Sequence, residues 1–220
     1  MPETTETKCG ECPWWEQNDE QQPAGGLCKK IPIGRTFMMM FADEKCLKNE
    51  LVRLSRRCVI TEKIDGTNAQ VYIGEDGEFL VGCRTRWITP DNDNYGFAKW
   101  AYEHEDELRQ LGSGHHFGEW WGQGIQRRYN LPEKRFSLFN VGRWTAETPP
   151  PSCCSVVPVL FEGIFDSNMI EQTLEALQRN GSYAAPGFNN PEGIIIYHTA
   201  SRMLFKKTIK NDESRKEANQ

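Results

Sequence analysis

The 220-residue sequence contains no apolar run of roughly 18 residues, so no segment reads as a membrane-spanning helix. It also lacks an excess of positive charge. Its 26 Lys and Arg against 31 Asp and Glu leave a formal net charge of -5. That argues against coating nucleic acid through bulk charge, yet it leaves room for a local basic groove. The start, MPETTETKCGECPWW, lacks the basic opening and apolar stretch of a secretory signal. A cytoplasmic protein in a reducing compartment is therefore predicted. Its eight cysteines then read as thiols or metal ligands rather than disulfides.

Residues 1–50 are rich in Cys, Gly, Pro and polar side chains, with little periodicity beyond the short run Thr36 to Phe41. From Leu51 the pattern changes to short apolar runs separated by turn signals. Val59-Ile60-Thr61 leads into Lys63-Ile64-Asp65-Gly66, and residues 69–73 alternate as a strand does. The turn Gly74 to Gly77 joins that run to residues 78–81, which predicts a hairpin. Helical spacing of Phe97, Trp100, Ala101, His104, Leu108 and Leu111 predicts one amphipathic helix over about residues 95–111. A second helix is predicted over residues 169–179, stopped by Asn180-Gly181. Strands are predicted at residues 115–121, 136–141, 155–161, 192–197 and 203–209. The whole reads as an α+β fold of mostly antiparallel strands with a few helices: a Cys-rich segment over 1–50, a domain over 51–210, and a frayed polar tail over 211–220.

The string most able to carry chemistry is Glu62-Lys63-Ile64-Asp65-Gly66-Thr67-Asn68. A lysine attacks a nucleotide α-phosphate only as the neutral amine, and the charge on the phosphate has to be offset by cations. Gly66 lets the backbone approach a ligand, and Asp65 can orient the amine or a hydrated Mg²⁺. Alone, this string is as compatible with a surface turn as with an active site. Glu119 and Glu192 each precede an apolar run on a strand, where an acid at a buried sheet edge needs a hydroxyl or a metal as partner. Lys206 stands where an apolar strand enters such a site.

Six strings in a fixed order give the chain a resemblance to the covalent nucleotidyltransferases, and within them to the RNA ligases that seal nicks in duplex RNA. They are the Lys63 string, Cys83-Arg84-Thr85-Arg86, Phe117-Gly118-Glu119-Trp120 continued by Gly122 to Gln126, Phe136 to Val141, Pro191 to Ile194, and Phe205-Lys206-Lys207. The resemblance implies a ligase-type adenylation domain, ATP and Mg²⁺ as cofactors, and RNA rather than DNA as partner. It implies Lys63 as the nucleophile that takes up AMP, with Glu192 acting through the metal and Lys206 on the α-phosphate. Arg84 would contact the ribose or an RNA end, Glu119 the ribose hydroxyl, Phe139 the adenine face and Glu62 the adenine amino group.

The last string departs from the family's spacing. Lys206 and Lys207 are adjacent and point to opposite faces of a strand, and position 208 is threonine. Lys206 is the better candidate and Lys207 the weaker one. The arginine role could belong to Arg84 or Arg86. The chain ends soon after this string, without room for the OB domain of DNA ligases and capping enzymes, which favours the RNA branch; RNA repair is one role in keeping with it, and RNA editing and DNA work are others. The competing functions are a ligase-like nucleic-acid-binding module without catalysis, and adenylate transfer to another acceptor, DNA included.

Cys9, Cys12, Cys28 and Cys46 give a core-poor segment four thiols, enough for a Zn²⁺ site or an iron–sulfur cluster. Cys58 could replace Cys46 in that set. Cys153-Cys154 reads as a loop pair without a role. His115 and His116 read as structural, and Trp120 and Trp121 as core aromatics.

Overall fold

The computed structural model describes residues 55–210, together with the backbone of two short strands near the start. The chain divides into two compact units, Met1–Arg56 and Arg57–Gln220. In the first unit β1 (Trp15–Glu16) pairs antiparallel with β2 (Leu27–Cys28). The side chains of Cys9, Cys12, Cys28 and Cys46, and the tail after residue 210, lie outside the described residues.

The second unit begins with β3 (Arg57–Lys63), β4 (Thr67–Ile73), β5 (Phe79–Cys83) and β6 (Trp87–Ile88). Helices α1 (Phe97–Glu103) and α2 (Glu105–Leu108) follow, with a 3-10 turn over Arg109–Leu111. Next come β7 (Gly114–Gly122), β8 (Lys134–Leu138), β9 (Cys154–Val156) and β10 (Val159–Ile164). Helix α3 (Ser167–Asn180), β11 (Gly193–His198) and β12 (Met203–Thr208) complete the unit. The strands form a six-stranded sheet, β6-β5-β4-β7-β8-β9, and a four-stranded sheet, β10-β3-β11-β12. All pairings in this unit are antiparallel except β8 with β9. The fold is α+β.

The strand predicted over 136–141 ends at Leu138, and two elements that the sequence reads as continuous are broken, each for a local reason. The predicted helix over 95–111 is broken at His104, whose backbone leaves helical angles (φ -113°, ψ 20°) while its ring Nδ1 lies 2.8 Å from the Trp100 carbonyl. The predicted strand over 155–161 is two strands in two sheets. Pro158 has no N–H to give a ladder, and its carbonyl instead accepts from Glu62 N at 2.9 Å, so the chain changes sheets there. Helix α3 starts two residues before the predicted position, at Ser167, with Asp166 as its cap accepting from the backbone N–H of Asn168 and Met169.

One face of the six-stranded sheet is buried under α1 and α2. Val71, Val81, Trp120, Phe136 and Leu138 pack there against Phe97, Ala101, Leu108 and Leu111. The four-stranded sheet buries Cys58, Ile60, Ile194 and Ile196 against Leu174 and Leu177 of α3. Each of the Val, Leu, Ile and Phe side chains among them contributes about 1.5–3 kcal/mol by leaving water. A third cluster, Ile64, Trp121, Tyr129, Val157, Ala185 and Phe188, lies where the chain passes between sheets. That explains how both Trp120 and Trp121 are buried although neighbours on a strand point to opposite faces. The link from β3 to β4, residues 64–66, joins the two sheets.

Candidate active site

Strand parity places the side chains around this link. In β3, Cys58, Ile60 and Glu62 face α3, whereas Thr61 and Lys63 face the other way. Lys63, one-fifth exposed, has its Nζ 2.5 Å from Glu192 Oε2, and the Glu192 carboxylate is almost wholly buried. The pairing of Lys63 with Gly193 across β3 and β11 sets this meeting. A buried ion pair of this kind is weak evidence for stability, because desolvation offsets much of the attraction. It is stronger evidence for a site that holds a charged amine ready.

The next residues are held from β7 and the loop after it. Asp65 accepts from Arg127 Nε at 2.9 Å, and its backbone N–H donates to the Tyr129 hydroxyl at 2.7 Å. Arg127 Nη1 also donates to the carbonyl of Asn190, close to Glu192. Gly66 N donates to Glu119 Oε1 and Asn68 Nδ2 to Glu119 Oε2, both at 3.0 Å. A Cβ at position 66 would press on the Trp120 carbonyl and stand 2.7 Å from Trp121 Cβ, so only glycine fits. Gly66→Ala should therefore destabilise the unit by about 2–4 kcal/mol, read as a lower urea midpoint at unchanged slope. A midpoint equal to that of the parent would show that the link is loose.

Burial pushes the Glu119 carboxyl from 4.5 up to about 7, against the opposing charge of Lys63 and its two hydrogen bonds, with Glu192 adding to the rise. The folded state then binds this proton more tightly than the unfolded chain. Between pH 4.5 and about 7 the contribution of Glu119 to stability falls as pH rises, and above that it is flat. Glu119→Gln removes this dependence, so the variant should gain up to about 3 kcal/mol on the parent between pH 5 and pH 8. Urea titrations at the two pH values measure it, and a difference that stays constant would refute the shift.

The other sequence-predicted residues fall in different places. The Glu62 carboxylate, 1% exposed, turns to the opposite face from Lys63 and accepts from Ser182 Oγ (2.6 Å), Tyr183 N (2.8 Å) and Ala184 N (2.9 Å). It anchors the loop over 181–191 and is not presented beside Lys63. Across β3, β11 and β12, Thr61, Ile195 and Lys206 form one row on the Lys63 face, and Lys206 is exposed there. Lys207 shares its row with Ile194 and Glu62, and its Nζ is 2.5 Å from Glu171 of α3. Phe139 follows β8 with its ring exposed, its N–H bonded to the Phe117 carbonyl. Arg84 and Arg86 are exposed in the turn between β5 and β6.

Asn68, Arg127, Tyr129 and Ser182 were not among the expected site residues. Beside Arg128, Arg127 has no feature in the sequence that sets it apart from a solvated basic pair. Its loop holds Gln126, Arg128, Tyr129 and Asn130 at positive φ, a conformation that no residue-type signal announces. Cys58 is fully buried beneath α3 and its thiol pKa is raised by burial, so it belongs to the core and not to a ligand set. His116 is buried with Nε2 2.8 Å from the Gly112 carbonyl, a structural role. Cys153 and Cys154 bring their sulfurs within 3.8 Å of each other beside a cavity of about 410 Å³ at the β8–β9 edge. Among the described residues no three His, Cys, Asp or Glu side chains are grouped to hold a metal.

The family model for RNA ligase matches residues 56–211, and the chain belongs to that family. Among solved structures it is similar to a Naegleria gruberi RNA ligase variant in the apo state, with TM-score 0.53 and 17% identity over 74% of this chain and 52% of that one. Variants of that enzyme with ATP and Mn and with AMP and Mn each give TM-score 0.52 at 17% identity, covering 72% of this chain and 51% of theirs. The chain thus spans about half the length of the solved RNA ligases it matches. A search of curated proteins found no match. Among the described residues no helix is long and apolar enough to cross a membrane.

Proposed function

We propose that this chain is an ATP-dependent RNA ligase-like nucleotidyltransferase in which Lys63 takes up AMP and passes it to a 5′-phosphate end. The observation that carries this reading is the Lys63 amine held at 2.5 Å on the buried Glu192, at the link between sheets and within the field of Glu119. In the first step the Lys63 nitrogen forms a bond to the α-phosphorus of ATP, the bond to the β-phosphate oxygen breaks, and pyrophosphate leaves. The ammonium must lose a proton beforehand, and Glu192 is the carboxylate in contact with it. In the second step an oxygen of the RNA 5′-phosphate displaces Lys63 from the adenylate. In the third the neighbouring 3′-hydroxyl attacks that 5′-phosphorus and AMP departs.

The residues have stated parts in this scheme. Glu119, fixed by Gly66 and Asn68, accepts from the ribose hydroxyl, and Phe139 offers its open ring to adenine. Lys206, on the Lys63 face, balances charge on the α-phosphate, and Arg84 reaches the sugar or the RNA end. Asp65, locked by Arg127, orients the link that carries Lys63. The Glu192 carboxylate would help hold a divalent ion such as Mg²⁺, which takes one or two carboxylates and completes its shell with substrate phosphates and waters. Such an ion supplies neutralisation of phosphate charge.

The test is to incubate the protein with α-labelled ATP and Mg²⁺, then offer nicked RNA, nicked DNA and single strands side by side. Label on the protein that moves to RNA and yields a joined strand supports the reading. Label that moves to DNA alone, or no label at all, overturns it.

A further inference from the structure

The face of the six-stranded sheet that carries Glu119 and Asn68 continues away from Lys63 as a row of rings. His115 and Phe117 lie on β7 two and four residues before Glu119, on the same face, and Tyr72 pairs with His115 from β4. Trp87 of β6 pairs with Gly82, and a Cβ at Gly82 would stand 2.9 Å from the indole, so bare backbone lets that ring lie against the sheet. Ring centroids are 5.7 Å apart for Phe117 and His115, nearly parallel at 6°, and 4.6 Å apart for His115 and Tyr72. Trp87 stands 6.1 Å from His115 and 6.3 Å from Tyr72. Phe117 is 53% and Trp87 46% exposed. In the turn leading into Trp87, Arg84 and Arg86 stand in solvent.

We infer that this row is a stacking shelf for unpaired RNA nucleotides next to the joint, with their phosphates running past Arg84 and Arg86. The inference rests on the ligase reading above and narrows its substrate. A closed duplex keeps its base faces inside the stack, so exposed rings beside cations suit splayed bases. The shelf is continuous with the nucleotide site, since one strand, β7, carries both Glu119 and Phe117, and β4 carries both Asn68 and Tyr72. Alternating residues on those strands step by about 6.7 Å, which leads a bound strand outward from the reacting end without a break. An RNA with a few unpaired nucleotides at the joint is the expected substrate, in preference to a nick in a continuous duplex.

Equilibrium binding of the full chain to labelled RNA, without ATP, tests this. Two RNAs are compared, one with unpaired nucleotides at the joint and one with a nick in a continuous duplex. Trp87→Ala should weaken binding of the unpaired RNA about tenfold while Trp87→Phe stays within about twofold, the scale of one lost base stack. Neither should move the nicked duplex by more than about twofold. Photocrosslinking from 4-thiouridine placed in the unpaired stretch should mark peptides holding Trp87, Tyr72 or His115. Equal losses on both RNAs, or crosslinks only elsewhere, would overturn the shelf. So would unchanged binding, the result if another protein surface covers these rings. ATP labelling of the same preparations reports on the nucleotidyltransferase reading separately, so the two can fail independently.

Discussion

Lys63→Ala is expected to lower protein labelling by α-labelled ATP at least a thousandfold, on the order of what loss of a covalent nucleophile removes. The same change takes the ammonium from the buried Glu192 carboxylate, and removing one partner of a buried pair costs about 3–5 kcal/mol. Loss of labelling by Lys63→Ala could therefore reflect loss of fold. Lys63→Arg separates the two. A guanidinium keeps a cation beside Glu192 yet stays protonated at any working pH, so it cannot attack phosphorus. The arginine variant should regain much of the urea midpoint and none of the labelling. Labelling retained by a well-folded arginine variant would remove Lys63 from the role of nucleophile.

Glu62→Ala should lower stability by about 2–4 kcal/mol in the absence of any nucleotide. The reason is local: the carboxylate receives a hydroxyl and two backbone N–H groups from residues 182–184, and burial raises its pKa in spite of those three bonds. Truncation leaves donors without an acceptor under the end of β3, next to the strand residue that carries Lys63. Glu62→Gln should recover part of the loss, because an amide oxygen still accepts one or two of those bonds. Were the side chain a contact to adenine, the ligand-free protein would unfold at an unchanged urea concentration, and only ATP affinity would suffer. Urea titration without nucleotide decides between these outcomes.

The Glu62 case shows how far strand parity carries and where it stops. Neighbours on a strand face opposite ways, yet the resemblance implies an adenine contact for Glu62, and it is the placement of both residues in β3 that sets Glu62 and Lys63 on opposite faces. The sequence does not say which loop, 120 residues further on, fills the space behind Glu62. The same parity separated Lys206 from Lys207, but only the register with Ile195 and Ile194 shows which lysine joins Lys63 and which meets Glu171. The hairpin of β4 and β5 was legible because Gly74 and Gly77 punctuate a clean alternation. The change of sheets at Pro158 was not, since one apolar run serves two strands. Arg127 and Tyr129 were hidden for another reason: their reach to Asp65 depends on a run of positive-φ residues whose types carry no such signal.

The position of the adenylate tests the central claim most directly. Intact wild-type protein is incubated with ATP and Mg²⁺, digested, and its peptides are mapped by mass spectrometry. AMP linked to Lys63, at the end of β3, is the predicted result. AMP on a different residue, or no adduct on folded protein, would contradict it.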